Sequence, residues 1–487
     1  MSKRMACDRC YRFKERCHFQ GYEKKCRLCE RSGSSCTRQR QLSRRGRRPK
    51  IEHFGPDGSV QVWEVIKADA CTKTEGVSPA IPHTRRSPTG SVSSIWDAGS
   101  PLMISWPNPN SDIFQDNPEE IFQDSPRLVK GFYLTYNMFM IGPTFAPQFR
   151  ASIRESHICS PALQRDISIA LFALCKRARF CSGSFGPMQV AQGTASLQKL
   201  RISQIDGTQS AFAMLFFGQA VATFDYMTVC SGSSMIRRYT LSSIQPWYED
   251  LSRKAIFDPV TISPIFWDTM SCLVQREIPV IKFRPRRPRL IHHSAGLCTT
   301  LLPIFYDLCV VANKIKCQEQ PPPGLADSSF QSLRQIEQKL VSWMPQVPQD
   351  FNSTYSRLER NAIMTQAAMY RSAGLLMVHR CLHPVGTGDD LATSYADAIM
   401  AEFSRYHEAA GPGAELHFVT FPILVASWEL PALSKGVWES VAPLNMAPIC
   451  SAKMHTLIDY VWKERRQGYS GLILDLVERG PDFVVLP

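Results

Sequence analysis

Six cysteines fall within the first 36 residues: Cys7, Cys10, Cys17, Cys26, Cys29 and Cys36. Their order is C-x2-C-x6-C, eight intervening residues, then C-x2-C-x6-C, so one unit repeats with a period of 19 residues. Thiolates at such spacing are ligands for a soft metal ion, and zinc takes four in a tetrahedron. Six sulfurs exceed the needs of one zinc and fall short of eight positions for two, so with two ions two sulfurs must each serve both metals. An approximate two-fold relation between the halves makes the bridges equivalent cysteines, and the leading residues Cys7 and Cys26 fit best. One ion then takes Cys7, Cys10, Cys17 and Cys26, and the other takes Cys26, Cys29, Cys36 and Cys7. The competing reading, a disulfide scaffold, suits a secreted chain, and no apolar signal segment follows Met1. His18 follows Cys17 and is read as a loop residue. The other eleven cysteines, from Cys71 to Cys450, show no such order and are expected to be buried as small hydrophobes.

A module of about 40 residues cannot bury enough apolar surface to fold alone. Structural zinc supplies on the order of 10 kcal/mol. Charge is concentrated in the same place. Residues 1–50 hold 17 Lys/Arg against four Asp/Glu, which accounts for the entire +13 of the chain. The remaining 437 residues carry 39 of each sign. Six thiolates with two Zn2+ add about −2, which leaves the segment strongly basic. A short positive segment on a neutral body points to a polyanion partner, most often nucleic acid.

The stretch Ala6-Cys7-Asp8-Arg9-Cys10-Tyr11-Arg12-Phe13-Lys14-Glu15-Arg16-Cys17 resembles the first half of the fungal zinc binuclear cluster of transcription factors. Cys26-Arg27-Leu28-Cys29 through Ser35-Cys36 resembles the second half. The motif is highly specific and covers a small part of the chain. The resemblance implies two Zn2+ ions, the same bridging cysteines, and a short helix after the first cysteine pair that enters the major groove at a CGG-like triplet. Lys14 matches the family's base-contacting lysine. This chain departs from the family pattern at Tyr11, a position that is often basic, and in His18–Lys25, which lacks the usual proline.

Lys14 is the candidate for base edges, because lysine can donate to guanine O6 and N7 in the major groove. Arg9, Arg12, Arg16, Lys24, Lys25 and Arg27 are the candidates for phosphates, which set register and carry most of the affinity. The basic run continues through Arg44, Arg45, Arg47, Arg48 and Lys50, read as linker and nuclear import signal. Arg45-Gly46-Arg47-Arg48-Pro49 also bears a faint likeness to a minor-groove hook.

Those residues need a scaffold, and the expected organisation has three parts. Residues 1–50 form the zinc module of two short helix-loop units with its basic linker. Residues 51–125 form a flexible, disordered connector rich in Pro, Gly, Ser and Thr, as in Ser78–Ser94 and Gly99–Asn110, with one short strand at Val60–Ile66. Residues 126–487 form a large all-α regulatory domain, so the chain as a whole is mostly α. Composition permits that size, since 44% of the chain is hydrophobic. Leu333, Ile336, Leu340 and Trp343 share one helical face before Pro345; Phe266, Met270, Leu273 and Val274 share another before Pro279; Ile363, Ala367, Tyr370 and Gly374 share a third. Further helical stretches are expected near 160–180, 208–228, 291–316, 390–408 and 451–466. Ile113-Phe114-Gln115-Asp116-Asn117-Pro118 and its near-copy at 121–126 read equally as an acidic activation segment or as two capped turns.

Asp258-Pro259, Phe266-Trp267-Asp268, Arg276-Glu277-Ile278-Pro279 and Leu358–Pro384 resemble the regulatory middle homology region of the same family. Arg371 and His379 there read as helix-surface or satisfied core residues. Lys282-Phe283-Arg284-Pro285-Arg286-Arg287-Pro288-Arg289 reads as an exposed basic loop. There is no phosphate loop and no nucleophile elbow, and His407-Glu408 lacks a second histidine, so an enzyme is not expected. No run is apolar enough to span a bilayer. The expected function is a nuclear, sequence-specific regulator of RNA polymerase II genes, an activator of a metabolic or biosynthetic gene cluster by family habit. Its expected partners are double-stranded DNA and the transcription machinery or co-regulators. A homodimer stays open, although no sustained heptad follows the zinc module. The rival reading is a zinc-stabilised adaptor that binds RNA or an acidic protein.

Overall fold

The computed structural model describes Cys7, Cys10, Cys17, residues 25–33 and 35–37, the backbone of 51–54 and 60–63, and residues 139–487 apart from 161–186 (Leu163 excepted), 287–288, 318–324, 412–413, 432, 434 and 443–446. The chain divides into two compact units, Met1–Ser94 and Ile95–Pro487.

The first unit holds a short helix α1 (Arg27–Arg31) and an antiparallel hairpin of β1 (Ile51–Phe54) and β2 (Val60–Trp63), in the register Ile51↔Trp63 to Phe54↔Val60. The strand expected within Val60–Ile66 is therefore present over Val60–Trp63. Its partner corrects the expectation that the connector is unstructured from residue 51. The signal was there: β-prone Ile51–Phe54 precedes Gly55, Pro56, Asp57 and Gly58, a run of turn formers. The paired Ile113 and Ile121 segments lie outside the described residues.

The second unit is mostly helical and shares one apolar core running from Met140 to Leu486. Its helices are α2 (Ala146–Cys159), α3 (Pro187–Ile202), α4 (Thr208–Thr228), α5 (Ser233–Ile244), α6 (Tyr248–Arg253), α7 (Asp258–Gln275), α8 (Leu302–Cys317), α9 (Leu325–Ser342), α10 (Phe351–Thr354), α11 (Arg357–Leu382), α12 (Asp389–Ala410), α13 (Thr420–Ser427), α14 (Lys435–Glu439), α15 (Pro448–Arg466) and α16 (Ile473–Arg479). The all-α expectation needs one small amendment, a two-residue parallel pairing of β3 (Leu416–His417) with β4 (Val441–Ala442).

The three sequence-read faces are core faces. Leu333, Ile336 and Leu340 are buried on α9, and Trp343 just beyond it donates its ring N–H to Thr300 Oγ1 at 3.0 Å. Phe266, Met270, Leu273 and Val274 are buried on α7, and Ile363, Ala367 and Tyr370 on α11. Gly374 belongs to the α11 face because a Cβ there would meet Phe305 at 2.7 Å. Helix α7 is buried on every side from Asp258 to Val274, which is how a central helix reads. Ends are capped where the chemistry allows. Ser356 Oγ accepts the Glu359 N–H at 3.2 Å, and Glu359 Oε2 accepts the Ser356 N–H at 2.9 Å, a reciprocal capping box for α11.

The stretch 291–316 departs from its helical expectation over its first part. The helix begins at Leu302, and 291–301 is a buried turn. His292 and Gly296 exchange backbone hydrogen bonds at 2.9 and 2.8 Å, and His292 Nδ1 accepts the N–H groups of Ser294 and Ala295. Gly296 sits at φ +50°, and a Cβ there would lie 2.3 Å from Gln366 Oε1, so the turn depends on glycine. The stretch 160–180 lies almost wholly outside the described residues.

Several polar residues singled out by sequence have structural duties. Arg371 donates to the Leu340 and Val341 carbonyls at the end of α9. His379 Nε2 meets the Gly388 carbonyl at 2.9 Å, and His407 Nδ1 the Phe403 carbonyl at 2.9 Å. In the basic loop Arg284 and Arg289 are exposed, whereas Lys282 pairs with Asp307 and Arg286 with Asp258. Cys230, Cys272, Cys298, Cys309, Cys381 and Cys450 are buried as expected. Cys159 is half-buried and Cys317, at the end of α8, is exposed, which corrects the reading for those two. No helix among the described residues is long and apolar enough to cross a membrane.

One ion-pair network ties α11, α12, α15 and the segment just after α13 together. Arg380 grips Glu429 with two bonds, Nε–Oε1 at 2.8 Å and Nη2–Oε2 at 2.6 Å, and both side chains are 1% exposed. Asp389 takes Arg380 Nη2 at 2.8 Å, and Arg465 adds a second cation to Glu429 at 3.0 Å. Removing one member strands a buried charge. Glu429→Gln should therefore cost about 3–5 kcal/mol in chemical denaturation, whereas Arg405→Gln, in the exposed Arg405–Glu402 pair, should cost no more than about 0.5 kcal/mol.

Candidate metal centre

The second cysteine pair is positioned by α1. Cys26 is its N-cap, and its Sγ accepts the Cys29 N–H at 3.5 Å. The helix lasts little more than a turn. Gly33 ends it in the left-handed region at φ +62°, with Ser32 N–H bonded to the Leu28 carbonyl and Gly33 N–H to the Glu30 carbonyl. One turn is enough to put Cys29 inward and fully buried, with Leu28 half-buried beside it, while Arg27, Glu30 and Arg31 face outward.

The first pair repeats this arrangement 19 residues earlier. Cys7 Sγ accepts the Cys10 N–H at 3.5 Å, as Cys26 Sγ accepts that of Cys29. Cys7 N–H donates to Cys17 Sγ at 3.3 Å, as Cys26 N–H donates to Cys36 Sγ at 3.3 Å. Cys7 Sγ lies 3.6 Å from Cys29 Sγ, as Cys26 Sγ lies 3.6 Å from Cys10 Sγ. Each contact maps onto its partner, so the two-fold relation inferred from spacing is present in the sulfur cluster.

The sulfurs fall into two groups of four, Cys7, Cys10, Cys17 and Cys26, and Cys7, Cys26, Cys29 and Cys36. Within each group all sulfurs lie within 4.8 Å of one another. The shared members are Cys7 and Cys26, 3.7 Å apart, the pair singled out by sequence as bridges. A tetrahedron with metal–sulfur bonds of 2.3 Å has sulfur–sulfur edges of about 3.8 Å. Separations of 3.6–3.7 Å match such edges, and Cys7–Cys26 is the edge common to both groups. The donor set suits a soft cation in tetrahedral geometry, and zinc fits it. Four of the six, Cys7, Cys10, Cys26 and Cys29, are fully buried.

Electrostatics point the same way. Burial pushes the Cys10, Cys17, Cys29 and Cys36 thiols up, Cys29 to about 12, and neighbouring sulfurs add to it. Burial acts upward on Cys7 and Cys26 too, but the N–H groups of Cys10 and Cys29 and the adjoining thiols outweigh it, and Cys26 falls to about 6. So crowded a set cannot become six thiolates without a compensating cation.

Of the candidate DNA-binding residues, Lys25 and Arg27 are described, and both are exposed on either side of Cys26. Arg9, Arg12, Lys14, Arg16 and Lys24 lie outside the described residues, as do Arg44, Arg45, Arg47, Arg48 and Lys50. Sequence reasoning did not name the backbone donors of Cys7, Cys10, Cys26 and Cys29 as part of the centre. The C-x2-C spacing was the signal for two of them, since it places the N–H of Cys10 and of Cys29 against the preceding sulfur. No known protein family, curated protein or solved structure compared with this chain matches it.

Because Cys7 and Cys26 belong to both sulfur groups, Cys7→Ala or Cys26→Ala should remove more bound metal than Cys17→Ala or Cys36→Ala, each of which touches one group. Metal content of the purified full-length variants, measured by elemental analysis, checks this. Equal losses at all four positions would contradict the shared edge.

Proposed function

We propose that this chain is a sequence-specific DNA-binding regulator of RNA polymerase II transcription, read out through a two-zinc cluster at its N-terminus. The observation that carries the reading is the pair of four-sulfur groups sharing Cys7 and Cys26, set in a segment holding 17 Lys/Arg against four Asp/Glu. Two Zn2+ held by Cys7, Cys10, Cys17, Cys26, Cys29 and Cys36 supply the crosslinks that let so short a segment fold. The fold then carries its cations on the outside, as Arg27 and Lys25 are carried.

In this reading Lys14 donates to guanine edges of a CGG-like site. Arg9, Arg12, Arg16, Lys24, Lys25 and Arg27 hold phosphates, which gives affinity without sequence information. Arg44, Arg45, Arg47, Arg48 and Lys50 direct the chain to the nucleus. The helical unit regulates activity and receives co-regulators or a second copy of the chain, and performs no catalysis. The resemblance to fungal zinc cluster regulators supports an activator of a metabolic or biosynthetic gene cluster.

Selection of the full chain on random DNA duplexes should enrich a CGG-containing site with zinc present and nothing with chelator. Lys14→Ala should cost about 1–3 kcal/mol at the selected site and far less on unrelated duplex. Uniform weakening on all sequences would favour an adaptor for RNA or an acidic protein instead.

A further inference from the structure

The helical unit buries an arginine that no carboxylate among the described residues grips in a direct ion pair. Arg237 on α5 is 3% exposed. Its guanidinium reaches Ser233 Oγ at 3.4 Å and lies over the Trp267 ring, 4.5 Å from the centroid. Its Nε has no hydrogen-bond partner, and among the described residues it has no ion-pair partner. The nearby carboxylates are committed elsewhere. Asp268 is held by Arg238 at 3.3 Å and by the Val280 N–H at 2.8 Å. Asp225 takes the N–H groups of Ser231 and Gly232 at 3.2 and 2.8 Å. Burial lowers the Arg237 pKa to about 10, against the opposing pull of Asp268 and Asp225, so it stays charged at neutral pH.

A second buried group with an idle atom lines the same cleft. His293, 4% exposed, meets Ser263 Oγ through Nε2 at 3.2 Å, while its Nδ1 has no partner. Burial holds this imidazole neutral. Arg237 and His293 line one small, largely enclosed cleft together with Ser263, Trp267, Phe216 and the half-buried Gln219. Its walls are aromatic, and its polar groups converge from α4, α5, α7 and the 291–301 turn. Such a mixture is what small-ligand sites present.

We propose that this cleft binds a small organic monocarboxylate, with the carboxylate on Arg237 and His293 and the apolar body against Trp267 and Phe216. One cation in an apolar wall matches one negative charge. A phosphate dianion would need further cations, and the nearby Asp225 and Asp268 oppose it. The site consists wholly of residues of the helical unit, so it stands apart from the DNA-binding reading. Within that reading the acid is an effector of the regulatory unit.

Titration calorimetry of the full chain with sodium benzoate, and with benzyl alcohol as the uncharged control, tests the assignment. Benzoate should bind saturably at one site per chain, at least about tenfold more tightly than benzyl alcohol. Arg237→Met should weaken benzoate about 10–100-fold, the range expected for a charge-assisted pair. Gln219→Glu, a half-buried position on α4 that places a carboxylate in the cleft, should weaken it comparably and covers the case in which Arg237→Met fails to fold. Absence of saturable benzoate binding, equal binding of benzyl alcohol, or undiminished binding by folded Gln219→Glu would overturn the proposal. DNA binding by Gln219→Glu without benzoate should equal that of the parent, which separates this site from the zinc module.

Discussion

Among its described residues, the N-terminal segment has a core of sulfur. Among the described residues there, Cys7, Cys10, Cys26 and Cys29 are the fully buried ones, and beyond the cysteines only Leu28 packs against them. An apolar cluster of that size cannot offset the conformational entropy of some forty residues. Cohesion has to come from ligand bonds, and these require the sulfurs to meet at tetrahedral separations. The shared edge between Cys7 and Cys26 is the narrowest point of the design, because each half of the segment closes only by borrowing a sulfur from the other.

A centre of this kind leaves the exterior free for charge. When the interior is six sulfurs, side chains between ligands need not pack inward, and arginine and lysine can occupy those positions without desolvation. Lys25 and Arg27 beside Cys26 are the described instances, exposed next to a fully buried ligand. Buried sulfur and outward cation thus alternate along the chain, as at Lys25, Cys26 and Arg27. Phosphate contacts set orientation only when their spacing is rigid.

The helical unit works by the opposite rule, with a large apolar core into which a few charges are admitted. Its two most buried arginines show how differently a fold can treat the same group. Arg380 is surrounded by Glu429, Asp389 and two backbone carbonyls, a closed network that joins three helices and the segment just after α13. Arg237 is equally deep but has a hydroxyl and an indole for company. A closed network specifies packing; an open one facing a cleft leaves binding capacity over.

What the sequence determined alone was the local chemistry. The 19-residue repeat picked out the six clustered cysteines and the two, Cys7 and Cys26, common to both sulfur groups, because sulfur positions within C-x2-C follow from a single turn of chain, and two-fold repetition carries that turn into the other half. The helix faces of Leu333, Ile336 and Leu340 and of Ile363, Ala367 and Tyr370 were likewise legible, since a 3.6-residue period is written in the chain itself. Tertiary structure decided what depends on distant partners. The turn at 291–301 opposes a helical-looking composition because Gly296 must clear Gln366, which lies far along the chain on α11. Whether Arg237 was an ordinary surface charge or a buried cation with a hydroxyl and an indole in place of an ion pair could not be read from Ile236-Arg237-Arg238-Tyr239. Burial and pairing are set by which helices come to lie against it, and that is a property of the packed unit and not of the segment.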